Sequence, residues 1–390
     1  MDSSVITTDV IVLGLGAMGS ATLDALSRRG ARVLGIEQFG IAHDRGSSHG
    51  GSRIVRQSYF EHPDYVPWLR DAYALWRDLD SWWSEPILHL CGGLYMGPSA
   101  SRTFSGSLLA ARQHRLPHEV LSPTAMRQRH PHITLAEEEH AFFEDLAGWV
   151  VPEETIRAQA ARAREHGATI WEHTAVTHVD AHPEHVIVTC ADGRRARAGT
   201  LVLTPGAWAP RLLGDLGLPL SVERQVMYWF EPAQDAEAYA RSPIYVHETE
   251  AGELIYGFPA TEAGAKVAFF RKPTPTDPDH LNRTISKEEV AVMRRRLRGT
   301  LPALAEGRLL DAKACMYTST PDEHFVIGRH PHHQRVLLAC GFSGHGFKFT
   351  PKVGEVLAAM AESGAETCGV ELFDPRRFSE ARPARGEREG

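Results

Sequence analysis

The chain contains no stretch of about 18 consecutive apolar residues, so nothing in it reads as a transmembrane helix. Its N-terminus also lacks the charged-then-apolar pattern of a secretory signal. Cysteine is scarce. Cys91, Cys190, Cys315, Cys340 and Cys368 are scattered, odd in number and without a CxxC pair, which argues against a disulfide framework or a zinc site. Basic residues are not in excess: 42 Lys+Arg stand against 49 Asp+Glu, and the net charge of −7 disfavours nucleic acid as a partner. No internal repeat is found. These absences leave an ordinary globular composition, 43% hydrophobic and 23% charged, expected to be cytoplasmic and, at 390 residues, long enough for two domains.

The 21 histidines do not by themselves suggest a metal. Most lie singly in polar stretches, and RHPHHQR at 329–335 reads as a solvated loop, so no metal is expected. The tail 379–390 has almost nothing to bury and is expected to be disordered.

Residues 9–19 read DVIVLGLGAMG, a short β-run set directly against a glycine-rich turn. A helix-like stretch follows over 20–29, then a second β-run over 31–36 that ends in Glu37. This is a complete βαβ dinucleotide unit. Gly14 permits the tight turn, Gly16 lets the backbone reach a pyrophosphate, and Gly19 lets helix and strand pack closely. The helix N-terminus then offers unpaired N–H groups and its positive dipole end to phosphate. A carboxylate at Glu37 suits ribose hydroxyls and disfavours a 2′-phosphate, hence NADP, but leaves NAD and FAD both open. The fingerprint begins so near the start that no targeting segment is expected before it.

Residues 40–56 are rich in Gly, Ser and His and form a polar loop beside the nucleotide unit. Residues 65–83 have helical spacing, with Trp68, Ala72, Leu75, Trp76 and Leu79 on one stripe that reads as core packing. A helix is expected over 151–166, a strand over 169–174, a hairpin at Asp192-Gly193, and a buried strand over 198–204 breaking into a Gly turn at 206. From 220 to 270 short strands at 225–230, 244–247, 254–258 and 266–270 suggest an inserted β-rich domain. A helix over 287–301, a strand over 336–340, a second glycine turn and a helix over 351–363 complete the chain.

Three motifs carry more specific information: HGGSRIVR at 49–56, ACMYTSTPDEHFVI at 314–327 and GFSGHGFKF at 341–349. Alone, Cys315 is a thiol before a strand, and Arg56 and Lys348 could be surface charges. Lys348 between Phe347 and Phe349, and Lys266 as the only charge in GAKVAFF at 264–270, are odd placements for solvated ammonium groups. Together and in this order, the motifs resemble the monomeric sarcosine oxidase and N-methyltryptophan oxidase family from about residue 9 to 378.

The resemblance implies an α/β fold: a Rossmann-type FAD-binding domain assembled from 1–85, 150–218 and 310–378. A mixed, mostly antiparallel β-sheet substrate domain is inserted as 86–149 and 219–309. It implies an FAD-dependent oxidase of secondary amino acids, N-methyl or cyclic, that passes a hydride to flavin, releases an imine to hydrolysis and reduces O₂ to hydrogen peroxide. Cys315 would hold the flavin through a thioether. Arg56 and Lys348 would clamp the substrate carboxylate, with Tyr317 and Phe270 lining the same pocket. Lys266, held near the flavin through water, would favour electron transfer to O₂, with Arg53, His49 and Tyr256 completing the catalytic set. FAD contacts are implied for Gly14, Gly16, Gly19, Glu37, Gln38, His43, Ser47, Ser52, Val176, Gly206, Trp208, Phe342, Gly344 and Gly346. A monomer without nucleic-acid or membrane partners is expected, acting on a small amino acid and O₂.

One departure stands out. Phe270 occupies the position where sarcosine-preferring relatives carry a histidine, which makes the pocket more apolar and points toward a bulkier N-alkyl or cyclic imino acid. Two rival readings remain at this point: an FAD amine dehydrogenase of the same fold that uses another acceptor, and a non-catalytic flavoprotein subunit.

Overall fold

The fold follows from where apolar runs are continuous and where they alternate. The computed structural model describes residues 5–271, 274–364 and 369–378; the tail expected to be disordered lies outside them. In it, β1 (Ile6–Leu13) is buried over its last four residues and β2 (Val33–Ile36) throughout. Strands buried on both faces pair in parallel beneath helices, and β1 lies in parallel register between β2 and the Arg195–Leu203 strand. Thr169–Trp171 continues the sheet beyond β2, and the hairpin Val176–Ala181 with Val186–Cys190 closes the other side. His333–Cys340 runs parallel to Arg195–Leu203, and Val326–His330 pairs with it. These make one of two eight-stranded sheets among the described residues.

The helix after β1, α1 (Ala17–Arg28), starts three residues earlier than its sequence pattern suggests, directly at the glycine turn. It packs against the helices Pro152–Glu165 and Thr350–Ser363. The second crossing is close, since a Cβ at Gly354 would lie 2.6 Å from the Ala21 backbone. Asp24 of α1 accepts from Arg162 at 2.8 and 2.6 Å, and Arg162 also reaches Asp78 of helix Tyr65–Trp82 at 2.8 Å. On that last helix Trp68, Ala72, Trp76 and Leu79 are buried as the stripe requires, but Leu75 is only half-buried; Tyr65, Leu69 and Tyr73 fill the core instead.

The second eight-stranded sheet runs Arg308–Ser319, Ser221–Glu231, Gly264–Phe270, Leu254–Thr261, Ile244–Glu248, Gly93–Pro98, Glu139–Glu144, Glu119–Leu121. Its neighbours are antiparallel except for Ile244–Glu248 with Gly93–Pro98. Alternation sorts its faces. Tyr228, Phe230, Val267 and Phe269 pack with Met293 and Leu297 of helix Lys287–Leu297. The opposite face carries Met227, Trp229, Ala268 and Cys315, with Tyr256 alongside. Gly148–Val150 pairs with both Arg53–Val55 and Leu88–Leu90 in a separate three-stranded sheet.

Three expectations need correction. Residues 310–319, grouped in the sequence with the nucleotide unit, belong to the second sheet, where Arg308–Ser319 pairs along almost the whole of Ser221–Glu231; a strand's sheet is set by its partner, which local pattern does not reveal. The 329–335 stretch is not simply a solvated loop. His330 ends a strand and is buried. Its Nδ1 accepts from His332 N at 3.2 Å, which leaves the Nε2 proton for Asp215 at 3.2 Å. His333 lies beside this pair, its ligand atom within 4.8 Å of theirs. Finally, the helix expected over 287–301 ends at Leu297 and a separate turn, Pro302–Glu306, follows. Among the described residues no helix is long and apolar enough to cross a membrane.

Candidate functional site

The carboxyl ends of β1, β2, Arg195–Leu203 and His333–Cys340 open on one side, where parallel α/β sheets bind ligands. A cavity of about 370 Å³ fills that cleft. Gly14, at φ +87°, has Thr204 O where a Cβ would come within 2.6 Å, and a Cβ on Gly19 would sit 1.8 Å from Gly14 O. Both are therefore demanded by packing. Gly16 is different: nothing lies nearer its Cβ position than Ser48 Oγ at 3.8 Å. It caps α1 with no side-chain hydrogen bond, and it lines the cavity. An open backbone at a helix N-terminus suits a phosphate group.

Of the residues implied for FAD, Gly14, Gly16, Glu37, Gln38, His43, Ser47, Val176, Gly206, Trp208, Phe342, Gly344 and Gly346 all line this cavity. Glu37 is buried and already accepts from Leu15 N at 2.7 Å and Phe39 N at 3.0 Å. The remaining lone pairs are available for hydroxyl donors. Trp208 Nε1 donates to Asp279 at 2.7 Å, tying the cavity rim to the segment before helix Lys287–Leu297. Gly19 and Ser52 do not line the cavity; Gly19 serves packing and Ser52 serves Lys266.

A second cavity, about 70 Å³, shares Arg53, Tyr317, Gly344 and Phe347 with the first. Cys315, Tyr256, Phe270, Arg56 and Lys348 line it too. One chamber therefore joins the thiol, the paired tyrosines and three cations, Arg53, Arg56 and Lys348. The tyrosine hydroxyls stand 3.4 Å apart, and burial raises the pKa of both. Phe270 presents its ring edge-on to Tyr256 and Tyr317 at 6.4 and 6.2 Å.

Lys266 is 2% exposed. Its Nζ donates to Gly50 O and Ser52 O, both at 2.8 Å, and to Ser52 Oγ at 3.2 Å. These contacts are direct and engage three protein oxygens. The carbonyls face inward because Gly50 and Gly51 adopt φ +96° and +74°, while Glu153 accepts from Gly50 N at 2.6 Å and Gly51 N at 3.2 Å. Burial, and then Arg53, drive the Lys266 pKa well below that of a free lysine.

Cys315 is buried, which alone would raise its pKa, but His49 and then Arg53 more than offset this and bring it down to about 6. The balance favours the thiolate form. Arg53 Nη2 lies 3.7 Å from its sulfur and donates to Ser47 O at 2.9 Å. His49 is buried, lines neither cavity, and leaves Nε2 without a partner.

The clamp region contains a carboxylate that sequence reasoning missed. Arg56 donates to Glu61 Oε2 at 2.6 Å and to Ser58 O at 2.9 Å, with Phe60 stacked 4.0 Å from the guanidinium. Burial disfavours the Glu61 anion, yet Arg56, His345 and Lys348 more than compensate and hold its pKa at about 2. Lys348 is buried and donates to His345 O at 2.8 Å; burial, then Arg56, push its pKa to about 7. Glu61 lies five residues past Arg56 in an aperiodic loop, so no helical or strand spacing announces the pair. His345 and Tyr59, joined through Nδ1 and the hydroxyl, complete the wall. Arg56 and Lys348 against the single Glu61 carboxylate leave this clamp one anion short. Of Arg56's five donors two are engaged, and of Lys348's three, one.

Comparison with known proteins gives consistent results. A family model described as FAD dependent oxidoreductase matches residues 9–360. The chain is 47% identical to a monomeric sarcosine oxidase of Streptomyces avermitilis over 381 residues, 96% of this chain and 99% of that one. It is 32% identical to an N-methyl-L-tryptophan oxidase of Yersinia pestis, over 95% of this chain and 99% of the relative. The solved structure of NikD, an unusual amino acid oxidase, superposes with a TM-score of 0.82 at 23% identity, covering 95% of this chain and 98% of that one.

The Lys348 geometry yields a pH dependence. Its pKa is depressed from 10.5 to about 7, so without an anion the ammonium is lost as pH rises through about 7. A carboxylate binds the protonated form. The affinity of the FAD-loaded protein for acetate, read from the flavin absorbance, should therefore fall by up to about tenfold per pH unit above about pH 7. Lys348→Met should flatten that dependence. A wild-type affinity unchanged from about pH 6 to 9 would contradict the assignment.

Proposed function

Because the chain belongs to the FAD-dependent oxidoreductase family, and within it to the monomeric sarcosine oxidase and N-methyltryptophan oxidase group, we propose that it oxidises secondary amino acids, N-methyl or cyclic, with O₂ as final acceptor. The single observation that carries the substrate reading is the clamp short of one anion beside the cofactor cleft. Arg56 and Lys348 hold the substrate carboxylate through their spare donors, a planar fork and a point charge that together fix the orientation of the neighbouring C–N bond. The Tyr256 and Tyr317 hydroxyls and the Phe270 edge form the wall around the amine. Phe270 favours apolar bulk over a bare glycine skeleton.

The cleft residues fit FAD: Gly14 in the tight turn, an open Gly16 at the N-terminus of α1 and the buried Glu37 carboxylate with lone pairs to spare. Bound FAD supplies the two-electron acceptor and returns those electrons to O₂. The chain's own residues do the rest. Arg53 and His49 favour the Cys315 thiolate for thioether attachment, and Lys266, held by Gly50 and Ser52, supplies an ammonium whose protonated form is favoured by negative charge developing on reduced oxygen. The first sheet with its helices acts as the FAD-binding unit and the second sheet as the substrate unit, in a protein that works as a monomer. The buried Lys266 favours an oxidase over a dehydrogenase of the same fold.

Peroxide release from sarcosine, larger N-methyl amino acids, L-proline and L-pipecolate tests this reading. Turnover should occur with the acids and fall at least about a hundredfold with the matching amines lacking the carboxylate, since the desolvated cation in excess of Glu61 would be left unmatched. Equal kcat/KM with and without the carboxylate would refute the clamp. For the covalent bond, acid-precipitated wild type should stay yellow and fluoresce on a denaturing gel, and Cys315→Ala should release all its flavin. A colourless wild-type pellet would overturn the attachment.

A further inference from the structure

Phe270 is the last residue of its strand, paired with Leu254, and only half-buried. A ring at a strand end is free to turn unless something outside the pocket holds it. Arg271 does so. Its guanidinium lies 4.6 Å from the Phe270 ring centroid, while the same ring packs in edge-to-face geometry with Tyr256 and Tyr317. Arg271 lines neither cavity. It pairs with Glu323, whose other carboxylate oxygen accepts from Arg102 at 2.7 Å. One Arg271 nitrogen is buried without a hydrogen-bond partner, so the ring stack and this ion pair hold the side chain.

Both partners sit in the left-handed region, Arg271 at φ +58° and Glu323 at φ +63°. Non-glycine residues persist there where surrounding structure over-determines them, and such sites concentrate where geometry matters for function. Here two of them meet in one ion pair at the pocket wall. Glu323 is also tied inward, since its carbonyl accepts from His345 Nε2 at 2.9 Å, and His345 O in turn accepts from Lys348. The anchor of Arg271 is thereby fixed to the same wall as the cation pair.

We propose that Arg271 is a specificity-positioning residue: stacked on Phe270 and anchored by Glu323, it pins the ring against Tyr256 and Tyr317 and so limits the apolar bulk a secondary amino acid substrate can carry. The inference rests on the substrate reading above and adds to it a residue that touches neither substrate nor cofactor.

The test uses the FAD-loaded enzyme. Arg271→Gly removes the stack at a φ that glycine adopts freely, so the fold is kept. It should raise the kcat/KM ratio of a bulky N-methyl amino acid over sarcosine by about tenfold, the scale on which apolar pockets discriminate. The gain should come through KM for the bulky acid, with kcat for sarcosine within about twofold. Arg271→Lys, which keeps a cation over the ring, should restore most of the wild-type ratio. Phe270→Ala should relax selectivity equally, and the double variant Arg271→Gly/Phe270→Ala should add nothing further. An unchanged ratio in Arg271→Gly, or strictly additive effects in the double variant, overturns the proposal. Should Arg271→Gly fold poorly, Arg271→Asn, which also tolerates the left-handed region, carries the same expectation. Wild type that turns over no secondary amino acid overturns the underlying reading and the proposal with it; wild-type turnover with indifferent Arg271 variants overturns the proposal alone.

Discussion

Positive charge kept out of water, with too little negative charge to balance it, is the constraint on which this site depends. Arg56, Lys266 and Lys348 are buried and Arg53 stands half-buried at the wall between the two cavities. Among the described residues, Glu61 is the carboxylate paired directly with this group. An isolated buried cation is strongly disfavoured, and one without a counter-ion tends to lose its proton. The protein answers with backbone carbonyls: Gly50, Ser52, Ser47, Ser58 and His345 each turn an oxygen onto one of the four side chains. Carbonyl dipoles orient a cation without neutralising it. An arriving anion therefore favours the protonated lysines, whose pKa values burial lowers, and meets charge that no fixed carboxylate has neutralised.

The architecture is arranged to deliver those groups to one place. The loop after β2 brings Arg53 and Arg56. The turn after His333–Cys340 brings Lys348. The inward face of the second sheet brings Lys266 and Cys315, one on Gly264–Phe270 and the other on Arg308–Ser319. The first sheet contributes the cleft, and Glu153 at the start of helix Pro152–Glu165 locks Gly50 and Gly51 so that the loop carbonyls point at Lys266. Loss of any one element would move a cation, not merely loosen a contact.

Much of this was legible in the sequence because it rests on local rules. The β1–α1–β2 unit shows in its glycines and apolar runs, and the odd company of Lys266 and Lys348 flags them as interior. The three motifs then point to the family. What stayed hidden depends on partners distant in sequence or on aperiodic chain. The Arg308–Ser319 strand joins the second sheet because Ser221–Glu231 recruits it, and Glu153 acts through a fold contact about a hundred residues from its target. Glu61 pairs within a loop that has no period to read. The three direct bonds of Lys266 follow from the left-handed conformations of Gly50 and Gly51, and those appear only once the loop is folded against the sheet. His330 is the converse case: a polar stretch hides one buried imidazole whose environment is set by the neighbouring strand.

If the interior charge acts electrostatically rather than as a packing element, its effects on the two half-reactions should separate. The most direct measurement is stopped-flow comparison of wild type and Lys266→Met, with anaerobic reduction by a secondary amino acid and reoxidation of the reduced enzyme by O₂ followed independently. Lys266→Met keeps the side chain's length and removes its charge. Reduction should stay within about tenfold of wild type, while reoxidation should slow by about a hundredfold or more, corresponding to about 3 kcal/mol of lost stabilisation. Collapse of the reduction step with reoxidation preserved would contradict the account.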